Sequence, residues 1–345
     1  MLDVVSPVLG AGLALLVAWD VTITLLHPTA RGPLSYLANR VTWIVIRALS
    51  LRALGGRALS YAGPLAVAGN VLAWVLVLWI AFAFVYLPFI DAFSFDPNTP
   101  FDGPGLVEAL YVSGVTVTTV GFGDVVATGD LLRLTMVVEA ASGFGALSAS
   151  IAYVLSVYPL TTELRSTGLQ LADYGVLELS GAVRMVRESG PSALPTLARG
   201  MTECHEHLRR FPVLYFFESG DDERPLSSLI RGVALLVVAL RCANPGAVPH
   251  APTYADVFEL ILARLLDDLE RDFVGGRRRG APSADRDQPE HDVRSLCASV
   301  DPQFASHSEI ERASELQSLL ARAETVLAAV AEEHGHPATA LFAEH

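Results

Sequence analysis

A short glycine-punctuated stretch held between two bilayer-length apolar segments leaves this chain few possible folds. Residues 118–124 read Thr-Thr-Val-Gly-Phe-Gly-Asp, with one apolar segment ending near Phe89 and another beginning near Leu131. A spanning helix takes about 20 mostly apolar residues. Irregular backbone at membrane depth is tolerated only where protein or a water-filled path surrounds it. Gly121 and Gly123 stand at alternating positions, and glycine enters the left-handed region at little steric cost. Alternating ordinary and left-handed residues turns successive carbonyls the same way. Such a stack of oxygens can replace the water shell of a dehydrated cation. The side chains of Val120 and Phe122 then point outward, and the Thr119 hydroxyl adds an oxygen below the stack.

These residues resemble the filter of the potassium-channel pore family, Thr-Val-Gly-Tyr/Phe-Gly-Asp, and the similarity extends over roughly residues 64–160. It includes a short pore-helix segment, Leu106–Thr118, and the flanking spans. The resemblance implies that Thr119, Val120, Gly121, Phe122 and Gly123 coordinate potassium, which is transported rather than kept as a cofactor. It also implies four pore units around one ion path. The chain carries one filter motif, so a homotetramer is expected. Phe122 stands where tyrosine is commoner, and the missing phenolic hydrogen bond bears on filter stability more than on ion choice. Tyr111 falls where the family often has an aromatic brace, with Asp124 as its acceptor; ordinary packing and solvent exposure are the alternatives. Val115 stands where some members carry a buried glutamate. The family bends its inner helix at a glycine, which makes Gly143 and Gly145 the hinge candidates. Close packing through small residues is the competing role.

Three segments qualify as spans: Val4–Leu26, read as retained rather than as a removed signal, Pro64–Phe89 and Leu131–Tyr158. Charge inside a span is costly and often functional. Glu139 is expected to support the filter by bonding the pore helix near Ser113 or Thr116, in protonated form if need be. Asp20 is expected to pair with an arginine of the following linker. Ala146 and Ser150 share a helical face and are expected to line the cavity, and Pro159 to end the span. Val4–Leu26 holds no arginine, which argues against a voltage sensor.

Arg31, Arg40, Arg47, Arg52 and Arg57 lie in segment 28–63, which has no acidic residue, whereas segment 90–105 carries Asp91, Asp96 and Asp102 and no basic one. Arginine-rich short loops stay in the cytoplasm. This places the N-terminus and the filter mouth outside and the residues after Pro159 inside. Within the linker, Leu37–Leu54 has the periodicity of an amphipathic helix at the membrane surface, with Trp43 suited to the interface. It is either a static elbow or a transmitter of motion to the pore.

The 345 residues are 52% hydrophobic, yet the charge is dense only after residue 160. A membrane part followed by a soluble part is the simplest account. The net charge of −13 and the scarcity of aromatics near basic clusters give nucleic-acid binding little support. Cys204, Cys242 and Cys297 have no framework spacing and fit a reducing compartment. The tail reads as helices over Leu164–Glu188, Leu194–Arg210, Leu226–Ala243, Tyr254–Phe273 and Ser308–Glu333, with a loop over Gly275–Glu290. Val233–Leu240 reads as a core helix. Arg277, Arg278 and Arg279 read as part of a solvated loop, with contact to anionic lipid the alternative. The tail has no dinucleotide-binding glycine motif. Cys204, His205, His207, His334 and His336 read as surface or capping residues rather than zinc ligands. No enzymatic constellation stands out, and the tail's ligand or partner is not legible.

The expected fold is therefore an all-α membrane protein in four parts. They are an N-terminal transmembrane helix (1–27), a cytoplasmic linker with an amphipathic helix (28–63), a potassium-channel-type pore domain (64–160) and a helical cytoplasmic domain (161–345). The pore domain comprises an outer helix, a re-entrant pore helix with its filter, and an inner helix. The expected function is passive potassium-selective conduction across a cell membrane by a multi-pass protein in contact with lipid. A weakly selective cation channel and a non-conducting membrane sensor or scaffold are the alternatives.

Overall fold

The computed structural model describes residues 2–27, 32–49, 61–96, 105–218, 225–243, 246, 248–274, 313–334 and 341. Arg31, Arg52, Arg57, Asp102, Pro104, the loop over Gly275–Glu290 with its three arginines, Cys297 and His336 lie outside them. The chain divides into two compact units, one of residues 1–48 and 62–158 and one of residues 49–61 and 159–345.

The first unit begins with α1 (Leu2–Leu26), α2 (Pro33–Leu49) and α3 (Ala62–Tyr86). α1 packs along α3. A Cβ added at Gly10 would lie 2.3 Å from the Ala81 carbonyl oxygen, so glycine is what lets the two backbones approach. α3 passes through a tight helical turn, Leu87–Ala92, into a short strand, β1 (Phe93–Phe95). β1 pairs antiparallel with β2 (Val125–Ala127), Phe93 opposite Ala127 and Phe95 opposite Val125. The chain is mostly helical, as expected, and this short pairing was not foreseen. Three-residue strands are too short for alternation to show in sequence, and their ladder forms only when both ends of the pore segment are brought together. The Asp96 amide extends it by donating to the Asp124 carbonyl at 2.8 Å.

Between the strands lies α4 (Gly105–Val117), and after them α5 (Asp130–Asp173). α5 does not stop at Pro159. The proline deletes one helical N–H and crowds the preceding turn, but a helix of 44 residues retains many bonds on either side of that loss.

The second unit contains the rest of α5, α6 (Leu179–Arg210), α7 (Pro225–Cys242), α8 (Ala251–Leu269) and α9 (Ala313–Glu333). The expected helix Leu164–Glu188 is divided by a turn at Gly175, whose φ of +70° is left-handed. Gly181 packs against that turn so tightly that a Cβ would fall 2.0 Å from the Gly175 carbonyl oxygen. α6 then absorbs the remainder and runs on through Pro191 and Pro195. α7 packs against α6, α8 and α9, and Val233–Leu240 is wholly buried. Buried Glu218 caps its start, accepting from the amides of Leu226 and Ser227 at 2.9 and 3.2 Å and from the Ser227 hydroxyl at 2.7 Å. Among the described residues four helices, α1, α3, α5 and α7, are long and apolar enough to cross a membrane, but 83% of the α7 window is buried inside the unit.

Candidate ion-conduction site

α4 is moored on two sides before its backbone leaves the helix. The Trp79 indole of α3 donates to the Leu110 carbonyl at 2.7 Å. The Ser113 hydroxyl lies 2.8 Å from the Trp79 carbonyl and 2.5 Å from Glu139 Oε1. Glu139 of α5 is fully buried, and its other oxygen accepts from the Tyr86 hydroxyl at 2.6 Å. A carboxyl group at this depth thus joins α3, α4 and α5. Thr116, the other partner expected for Glu139, donates instead to the Val112 carbonyl one turn back.

The Thr118–Asp124 segment follows directly. The amides of Val120 and Gly121 both turn back to the Val115 carbonyl, at 3.1 and 3.4 Å. Three alternate residues are left-handed, with φ of +58° at Thr119, +57° at Gly121 and +80° at Gly123. Thr119 was not foreseen among them. A β-branched residue is strained there, and no local signal in the sequence marks it. The segment from Thr118 to Gly123 is exposed in the single chain, including Val120 at 55% and Phe122 at 70%. Beyond it, the Tyr111 hydroxyl donates to Asp124 at 2.5 Å. The far end of the segment is therefore tied both to α4 and to the β1–β2 pair.

α5 carries the remaining candidates. A Cβ on Gly143 would meet the Val117 carbonyl oxygen at 2.0 Å, whereas nothing lies within 4 Å of one on Gly145. Gly143 therefore has a packing role at the end of α4, and Gly145 does not. Ala146 and Ser150 do not line a cavity. Both are buried within the unit, on the face that also carries Glu139, Gly143, Tyr153 and Val157. The opposite face, including Phe144, Leu147 and Ile151, is the exposed one.

Several unforeseen residues join this assembly. The Asn70 amide donates to the Tyr153 hydroxyl at 3.0 Å, and Trp74 meets the Tyr153 ring edge-on, centroids 5.6 Å apart. A polar Asn70 in the most apolar helix was the available signal. Asp20 does not find an arginine among the described residues. It accepts from the Leu34 amide at 2.6 Å, the Ser35 hydroxyl at 2.6 Å and the Trp74 indole at 2.8 Å. The start of α2 supplies the donors because the first amides of any helix lack internal partners.

In the second unit His205 and His334 are buried rather than on the surface. His205 pairs with Asp268 at 2.8 Å, and His334 contacts the carbonyls of Val330 and Tyr215. Burial pushes the Cys204 thiol up to about 11. Among the described residues no group of three or more His, Cys, Asp or Glu could hold a metal ion.

Residues 74–158 match the family model described as "Ion channel". That stretch covers the second half of α3, all of α4 and the filter-like segment, and α5 as far as Tyr158. Over 170 residues the chain is 27% identical to the uncharacterized membrane protein YdjJ of Bacillus subtilis (strain 168), with 48% of each sequence covered. The chain thus spans about half the length of the curated relative it matches. No solved structure matches it. An ion-channel-type segment within a helical membrane protein is what the likenesses and the apolar helices together define.

Proposed function

We propose that the chain is one subunit of a homotetrameric channel that conducts potassium passively through the carbonyls of residues 119–123. The observation that carries this reading is the run of alternating left-handed residues at Thr119, Gly121 and Gly123, suspended between α4 and β2. Their carbonyls replace water around the ion. The carbonyl end of α4 precedes the stack and favours a cation there. Exposure of the whole segment in one chain supports enclosure by further copies, because irregular backbone at membrane depth must be surrounded by protein or water. The arginine-rich linker supports a cytoplasmic position for α2 and the second unit, with the filter mouth outside.

Purified protein in liposomes tests this directly. Potassium flux well above sodium flux, abolished by Gly121→Asp in an assembly of unchanged size, is the expected result. Equal potassium and sodium flux would leave a weakly selective cation pore. No flux from the correctly assembled protein would leave a membrane sensor or scaffold.

A further inference from the structure

α2 is amphipathic in an inverted sense. Ser35, Thr42 and Ile46 turn inward. Ser35 bonds Asp20 and lies 3.2 Å from the Thr24 hydroxyl. A Cβ on Gly69 of α3 would fall 2.5 Å from the Thr42 hydroxyl oxygen. The outward side carries Leu37, Val41, Ile44 and Val45, which are 55%, 50%, 57% and 49% exposed. A surface helix in water presents its polar side outward. This one buries hydroxyls against protein and offers aliphatic groups to its surroundings, which is the pattern of a helix bounded by lipid.

Arg40 and Arg47, two turns apart, lie together on one edge of that apolar side, with Trp43 between them in sequence. α2 contains no carboxylate, and neither arginine has an ion-pair partner among the described residues. The carboxylate near the start of α2, Asp20, is already engaged by Leu34, Ser35 and Trp74. Two paired-off faces thus leave two cations at one boundary. Guanidinium groups match phosphate oxygens in geometry as well as charge.

We infer that α2 holds anionic phospholipid, with Leu37, Val41 and Ile44 against the acyl chains and Arg40 and Arg47 on the headgroup phosphate. The inference rests on the membrane location of α1 and α3 but not on conduction. Basic residues beside an anionic bilayer each contribute about fivefold in affinity, so the pair is worth roughly thirtyfold.

The test is native mass spectrometry of the full-length protein, titrated separately with phosphatidylglycerol and phosphatidylcholine of equal chain length. Preferential retention of phosphatidylglycerol is expected. R40Q/R47Q should lower that preference by roughly thirtyfold, R40K/R47K should keep most of it, and R199Q on α6 should leave it unchanged. Equal retention of the two lipids by the unaltered protein would overturn the inference. So would an undiminished preference in R40Q/R47Q, or an equal loss in R199Q. A protein that conducts nothing yet retains phosphatidylglycerol through these arginines would sink the channel reading and leave this one standing.

Discussion

Adding one methyl group at Gly143 drives α5 into the backbone that precedes the Thr118–Asp124 segment. The new Cβ would lie 2.0 Å from the Val117 carbonyl oxygen and 2.9 Å from its carbon, where ordinary contact begins at 3.4 Å. The two backbones must part by about 1.4 Å at that point. No flexible side chain is there to yield, since both partners are main chain. Overpacking of this kind costs about 1–3 kcal/mol, and alanine's better helix propensity returns at most about 1 kcal/mol. The net expectation for Gly143→Ala, once the propensity gain is taken off, is a loss of up to about 2 kcal/mol per subunit. It falls on Val117, whose neighbours Thr118 and Thr119 begin the proposed filter segment. Gly145→Ala is the internal control, because nothing lies within 4 Å of its added Cβ and only the propensity gain applies. Thermal melting of the solubilised assembly and potassium-against-sodium flux in liposomes read the two effects together. Gly143→Ala should melt earlier and lose selectivity, while Gly145→Ala should melt no earlier than the unaltered protein. If Gly143 acted only as a hinge, its alanine variant would keep both stability and selectivity and change only the open fraction. That outcome would refute the packing argument.

Three further expectations concern single contacts. Tyr111→Phe and Asp124→Ala each remove the bond that ties the far end of the Thr118–Asp124 segment to α4. Each should reduce selectivity or sustained flux, and the double variant should be little worse than either single one; additive losses would mean that the two residues act separately. Asp20→Ala leaves the Leu34 and Ser35 amides and the Trp74 indole without their acceptor. At about 1–3 kcal/mol per stranded buried donor, a markedly lower melting temperature is expected, and an unchanged one would show that water replaces the carboxylate freely. In the second unit burial works to raise the Asp268 carboxyl, but the hydrogen bond from His205 and the charge of Arg271 outweigh it and hold the group below its ordinary value. With its folded pKa depressed, its contribution is complete above the ordinary aspartate range and is lost as pH falls through that range and below. Asp268→Asn should therefore flatten the acid limb of the unit's stability curve, followed by circular dichroism against pH. An acid limb identical to that of the unaltered protein would remove Asp268 as its source.

What could be read in the sequence divides according to how local its cause is. Gly121 and Gly123 announce their left-handed backbone because no other residue enters that region so readily, whereas Thr119 joins them without a signal. Its conformation is imposed from outside, by an amide bonded back to the Thr116 carbonyl and by the next amide to Val115. Glu139 had to find donors, because a carboxyl group inside a span is intolerable alone, and Ser113 stood one α4 turn from the filter. Tyr86, which completes its shell, is one aromatic among many in α3. Asp20 followed the same rule, yet among the described residues its donors are the first amides of α2, the Ser35 hydroxyl and the Trp74 indole rather than a charged side chain, and amides carry no residue identity to read. Helical spacing placed Ala146 and Ser150 on one face, but spacing cannot say which face turns inward; the Ser150 hydroxyl is satisfied by the Ala146 carbonyl at 2.7 Å and so tolerates burial.

The same distinction explains why the Thr118–Gly123 segment is anchored at its ends yet exposed along its length. α4, Glu139 and the β1–β2 pair fix its two ends from within one chain, while Val120 and Phe122 between them stay largely exposed there. Large apolar groups exposed together on an otherwise well-anchored segment mark a surface awaiting a partner. Four copies about one axis would supply that partner from the same sequence, and would turn the carbonyls, rather than these side chains, toward the shared path. On this account, substitutions at Val120 or Phe122 act between subunits and those at Tyr111 or Glu139 within one. Co-assembly of altered and unaltered chains separates the two. Flux should depend on the neighbour's identity for Val120 and Phe122 variants. It should follow the number of altered chains, whatever their arrangement, for Tyr111 and Glu139 variants.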